Sequence, residues 1–88
     1  MAKYKILFKR FVRKDLKKIP KRPLQNILTK INSLTDNPYP KGVEKLSGGS
    51  YFRIRQGVYR IIYEVKNNEL IIIIIKVGHR KSVYRSKK

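Results

Sequence analysis

The sequence predicts an α+β fold: an N-terminal strand, an antiparallel two-helix hairpin packed on a β-sheet, a three-strand antiparallel meander completing that sheet, and a short basic C-terminal tail. Three observations predict it. Apolar residues recur at helical spacing between residues 8 and 34, and β-rich runs broken by short turns fill residues 50–77. A chain of 88 residues can bury one core but not two, so residues 1–88 are expected to form a single domain.

Lys3–Tyr4–Lys5–Ile6–Leu7–Phe8 reads as the opening strand, with Tyr4 and Ile6 on one face. From about Lys9 the period lengthens. Phe8, Phe11, Val12, Leu16 and Ile19 form an apolar stripe on a helix ending near Ile19–Pro20. Pro23 suits the first turn of a second helix, whose stripe is Leu24, Ile27, Leu28, Ile31 and Leu34. That helix should stop before Asn37–Pro38, because a residue ahead of proline is pushed out of the helical region. A link this short makes the two helices antiparallel, with both stripes needing a sheet to cover.

Residues 37–49 read as a loop, pinned to the core by Val43 and Leu46. The expected strands are 50–55, 58–66 and 69–77, with Gly78 ending the last. Gln56–Gly57 is the expected centre of the first reversal, and Asn67–Asn68 suits a type I′ turn because asparagine tolerates positive φ. Ile71 to Ile75 is apolar without alternation, which places the last strand inside the sheet with both faces covered.

Charge narrows the partner. Twenty-three Lys and Arg against five Asp and Glu give +18, and the first 22 positions carry a dense share of the cations. Nucleic acid is the polyanion such a chain most often meets. An anionic membrane would call for a lipid anchor or an amphipathic helix with large exposed apolar residues, and solubility alone rarely needs so lopsided a balance. Lys9, Arg10, Arg13, Lys14, Lys17 and Lys18 share the polar face of the first helix, a stripe that would follow a phosphate backbone without reading sequence. With no cysteine, no signal-like apolar N-terminal segment, and no apolar run longer than Leu70–Ile75, a soluble cytoplasmic protein is expected.

The strongest chemical signal lies in Tyr51–Tyr63. Arg53, Arg55 and Arg60 alternate with apolar residues, and an even-numbered loop about Gln56–Gly57 puts Arg53 opposite Arg60 and Arg55 opposite Val58. All three guanidinium groups then share one side of the sheet. Like charges held that close destabilise a hairpin unless an anion sits among them, so the cluster reads as a phosphate site. Tyr51 falls on the same face and could stack on a base, or simply cover the sheet edge. Tyr59 and Tyr63 fall on the other and read as core aromatics.

Other chemistries lack their parts. One histidine, no cysteine and five scattered acids do not make a structural zinc site, a two-metal carboxylate cluster or a glycosidase pair, and no cofactor or metal is expected. Gly48–Gly49 is no phosphate loop. A metal-free cationic site can still act on RNA, which carries its own 2′-hydroxyl nucleophile. Such a site needs charge for the phosphorane and groups to take and give protons. The arginines supply the charge, and Tyr84 or His79 could move protons if neighbouring cations lower the tyrosine pKa from about 10.

Three short motifs then resemble a known family. Val43–Glu44–Lys45–Leu46–Ser47–Gly48 is similar to a "K-L-x-G" approach, Tyr59–Arg60–Ile61–Ile62–Tyr63 to a "Y-R-hydrophobic-hydrophobic-Y" strand, and Val77–Gly78–His79–Arg80 with Val83–Tyr84–Arg85 to a "V-G-[HK]-R…V-Y" ending. In order and at this spacing, they resemble the RelE/ParE toxin superfamily, specifically the RelE branch of ribosome-dependent mRNA endoribonucleases, across essentially the whole chain. The resemblance assigns Arg60 and Arg80 to the scissile phosphate and Tyr84 to the position usually viewed as the base. Arg53 and Arg55 stand where lysines are common, a departure that keeps charge but gives up easy proton exchange. His79 stands where relatives have lysine or histidine, and so could share the proton transfer; Lys81 and Arg85 would add RNA contacts from the tail.

The resemblance further implies a toxin of a type II toxin–antitoxin pair, cutting mRNA in the ribosomal A site without metal and neutralised by a small acidic antitoxin. A ParE-like inhibitor of DNA gyrase and a non-catalytic basic RNA-binding module are the alternatives.

Overall fold

The computed structural model describes residues 3–46 and 48–79. Their elements run β1 (Lys5–Phe8), α1 (Arg10–Lys17), α2 (Lys21–Ser33), β2 (Glu44–Lys45), β3 (Tyr51–Gln56), β4 (Tyr59–Lys66) and β5 (Ile71–His79). The five strands form one sheet in the order β1-β5-β4-β3-β2. β1 lies parallel to β5, while the other neighbours pair antiparallel. The α+β layout and the interior place of the isoleucine strand are as the sequence predicts.

α1 packs on β5 and α2 on β3. Val12, Ile27, Ile31 and Leu34 meet Ile54, Ile61, Tyr63, Val65, Ile72, Ile74 and Val77 in a single buried cluster, with Ile6 and Phe8 of β1 packed against it. An aromatic stack extends the core towards the 37–43 loop: Tyr39 meets Phe52 edge-on at 5.1 Å, and Phe52 stacks on Tyr63 at 5.9 Å. The buried Tyr63 hydroxyl donates to the Pro38 carbonyl at 2.6 Å, anchoring that loop. Burial pushes the Tyr63 phenol well above its ordinary pKa, with Tyr39 adding to the rise, so this tyrosine is a structural donor and no base.

The structure corrects the sequence reading at several points. The first reversal is the two-residue loop Gly57–Val58, since Gln56 pairs with Tyr59. Gly57 has φ 63° and takes the first central position, where a type II′ turn calls for glycine. The second reversal spans four residues between the Lys66–Ile71 pair, and the residue with positive φ is Leu70 (55°), not an asparagine. The last strand continues through Gly78 to His79, because both still have partners on β4. Glu44–Lys45, expected as loop, pairs with Arg53 and Phe52 as an edge strand. Phe11, expected in the buried stripe of α1, is 71% exposed. Turned away from Val12 by about 100° of helix, it cannot share that residue's burial in so short a helix.

The isoleucine run lacks alternation partly for a geometric reason. Between the pairs Ile62–Lys76 and Tyr63–Ile74 the register slips by one, leaving Ile75 as an extra residue. This β-bulge re-phases the strand, so Ile74 and Val77, three apart, both reach the core.

Candidate functional site

The sheet turns one face to the helices and the other away from them. On the second face β3 contributes Tyr51, Arg53 and Arg55, and β4 contributes Arg60, Ile62 and Glu64. The register places Arg55 directly opposite Arg60, with Arg53 two residues along and opposite Ile62. This corrects the expected Arg53–Arg60 and Arg55–Val58 pairs by two residues. The shared face survives because a shift of two preserves side-chain parity.

Each arginine meets a different neighbour. Arg60 is only 7% exposed, and its partner on β5 is Gly78, which has no side chain to occupy the space beside it. Arg55 is exposed at the rim. Arg53 lies between β4 and the edge strand β2, where it donates from Nε (2.9 Å) and Nη2 (2.5 Å) to one carboxylate oxygen of Glu44. The Arg53 hydrogen bonds and charge hold the Glu44 carboxyl below its ordinary value, with smaller help from Arg55 and Arg60. Arg53 holds the Glu44 carboxylate by contact, and the fields of Arg55 and Arg60 add to its preference for the charged form.

Sequence reasoning missed Glu44, although its signal was available: it is one of five acids in a very basic chain and lies just ahead of the arginine strand. Tyr51 lies on the arginine face opposite Glu64 and is 39% exposed, as a stacking surface would need.

His79 lies elsewhere. It pairs with Tyr59, whose ring it meets edge-on at 5.8 Å, on the side of the sheet that carries the helices. Together with Asp15, Lys18, Ile19 and Lys76 these rings wall a cleft of about 350 Å³ beside the end of α1. Asp15 pairs there with Lys76 at 3.7 Å. The sheet thus brings Arg53, Arg55, Arg60 and Tyr51 together and leaves His79 across from them. Arg80, Lys81, Tyr84 and Arg85, also expected at the site, lie outside the described residues.

Lys9, Arg10, Arg13, Lys14, Lys17 and Lys18 decorate α1 and its two ends as expected. Asp15 is the acid among them, and it is tied to β5. Among the described residues no group of three or more His, Cys, Asp or Glu could hold a metal ion. Nor is any helix among them long and apolar enough to cross a membrane.

Comparison with known proteins agrees with this architecture. The family model for the ParE toxin of the type II toxin–antitoxin system parDE matches residues 6–84. The toxin RelE3 of Methanocaldococcus jannaschii is 38% identical over 85 residues, covering 91% of this chain and 94% of that protein. The toxin RelG of Mycobacterium tuberculosis is 30% identical over 86 residues, covering 93% and 97%. The crystal structure of the archaeal RelE–RelB complex from Pyrococcus horikoshii superposes with a TM-score of 0.81 at 31% identity, covering 91% of this chain and 97% of the matched one. With its sheet, helical hairpin and arginine strand pair in hand, the chain belongs to the RelE/ParE family of toxins from type II toxin–antitoxin systems.

Proposed function

We propose that this toxin is a metal-independent endoribonuclease that cleaves mRNA in the ribosomal A site and so stops translation. The observation that carries the proposal is the convergence of Arg53, Arg55 and Arg60 on one sheet face, already stabilising the Glu44 carboxylate. A scissile phosphate presents the same kind of oxyanion, and planar guanidinium forks suit its geometry.

In this reading the 2′-oxygen attacks the adjacent phosphorus as its proton passes to a base. The arginines stabilise the charge of the pentacovalent phosphorane, and the 5′-oxygen leaves with a proton from an acid. The products are a 2′,3′-cyclic phosphate and a 5′-hydroxyl. Arg80 joins the phosphate contacts and Tyr84 serves as the base. His79, facing the other side of the sheet, would need a substrate that wraps the strand end to take part. The lysines and arginines of α1, with Lys81 and Arg85, supply sequence-independent attraction to ribosomal RNA. A cognate antitoxin of acidic character would neutralise the protein; the related RelE of Pyrococcus horikoshii was crystallised in complex with RelB.

The matching family description names ParE, which keeps a gyrase-directed activity as a second reading. In vitro translation of a defined message, with RNA ends mapped by primer extension, separates them. Discrete cuts within codons that require ribosomes and vanish in Arg60→Ala are expected. Intact message and normal translation would overturn the ribonuclease and direct the work to a supercoiling assay. Intact message with blocked translation would indicate RNA occlusion without cutting.

A further inference from the structure

The most exposed large apolar side chain among the described residues is not on the arginine face. Phe11 is 71% exposed, against 38–51% for the other exposed large hydrophobics. It sits in the first half of α1 with Lys14 and Lys18 at i+3 and i+7, and the Lys14 ammonium lies 5.9 Å from its ring centroid. Asp15, the acid on this helix, is engaged by Lys76. The Lys14 ammonium lies over one face of the ring, and the side chain otherwise stands exposed among solvated cations.

We infer that Phe11 is a stacking platform for an unpaired RNA base, whose flanking phosphates are taken by Lys14 and Lys18. This rests on the reading of the protein as one that acts on RNA, and it adds a second contact surface across the sheet from the arginines. Three arguments select this occupant. The surrounding charge demands an anionic partner, and stacking on an open ring needs no enclosing pocket. An apolar anchor from a protein partner gains its energy by filling a pocket, whereas Phe11 is not among the walls of the neighbouring cleft. That cleft carries two more rings, Tyr59 and His79, beside Lys18 and Lys76, so a strand leaving Phe11 past Lys18 meets further aromatic and cationic surface.

The test measures binding and needs no cleavage. Fluorescence anisotropy with a short single-stranded RNA, across a salt series, should show Phe11→Ala binding roughly tenfold more weakly, the loss of one stacked base. Its salt slope should equal that of the parent, because no phosphate contact is removed. Phe11→Trp should restore affinity, and Phe11→Leu should behave like the alanine variant. Parent-like binding by Phe11→Ala, or full recovery by Phe11→Leu, would overturn the inference. Because the side chain is exposed, all three variants should fold, which circular dichroism checks. A photocrosslink from 5-iodouridine to Phe11 on programmed ribosomes should fall in ribosomal RNA or in the message and so identify the source of the base; crosslinking to neither would also overturn the inference. If the translation assay shows no cutting while the Phe11 effect persists, the ribonuclease reading fails and this surface stands.

Discussion

Two cationic surfaces of this protein differ in almost every respect except sign. On β3 and β4, arginines are fixed by register: Arg55 and Arg60 cannot leave each other without breaking the ladder, and Arg60 is nearly buried. On α1, lysines and arginines project into water from eight residues of helix. A cation held in a sheet beside its like is already desolvated and aimed, so it can stabilise a particular oxyanion. A solvated cation gathers polyanion from any direction and is screened by salt. The contrast teaches that net charge indicates what is attracted, while strand register indicates where chemistry can happen.

The comparison breaks most decisively at Arg60. Arg60→Ala should lower ribosome-dependent cleavage by roughly 10²–10³-fold, the loss typical of one preorganised charge-stabilising group, with binding to ribosomes much less changed. Primer-extension rates together with ribosome cosedimentation would check both halves. Lys17→Ala should do the reverse: a less than tenfold loss of RNA affinity, with the slope of log affinity against log salt shallower by about 0.7–0.9. An equal loss of cleavage from the two variants would erase the distinction between the surfaces.

Two smaller effects sharpen it. Glu44→Gln removes the carboxylate that competes for Arg53 and should raise RNA affinity by a few-fold, as expected of an exposed ion pair. Unchanged affinity would show that Glu44 does not occupy the phosphate position. The last effect is the Glu44 titration. Because its folded pKa lies below the ordinary 4.5, the clasp contributes stability that is present above that value and lost as pH falls through the lowered one. Carboxyl-detected NMR should find Glu44 titrating below 4.5, and Arg53→Ala should return it towards that value.

Much of this was legible in the chain. Ile27, Ile31 and Leu34 of the α2 stripe, the interior isoleucine strand and the shared face of Arg53, Arg55 and Arg60 follow from period alone, and parity tolerated a register error of two; Leu28, expected in the same stripe, is 40% exposed, at the edge of the helix's buried face. What period cannot decide is where a turn begins, and the placement of Gly57 at the first central position depended on backbone handedness. Leu70 at φ 55° went against residue preference, because a four-residue reversal fixed by its flanking pairs left it the left-handed position. Phe11 fitted the helical spacing from Phe8 because Phe8 was counted in the helix; Phe8 belongs to β1, where it packs against the core. His79 was expected at the arginine site yet lies a face away in space, since the strand carries on past Gly78.

The parallel pairing of β1 with β5 has a consequence in time. Lys5 to Phe8 pair with Ile71 to Ile74, so most of the chain lies between the two partners. The strand made first waits until the last strand has been synthesised, several seconds later at roughly 5–20 residues per second. Contacts so distant in sequence also form slowly. The completed sheet, and with it a rigid arginine face, is thus a late event in the life of each molecule.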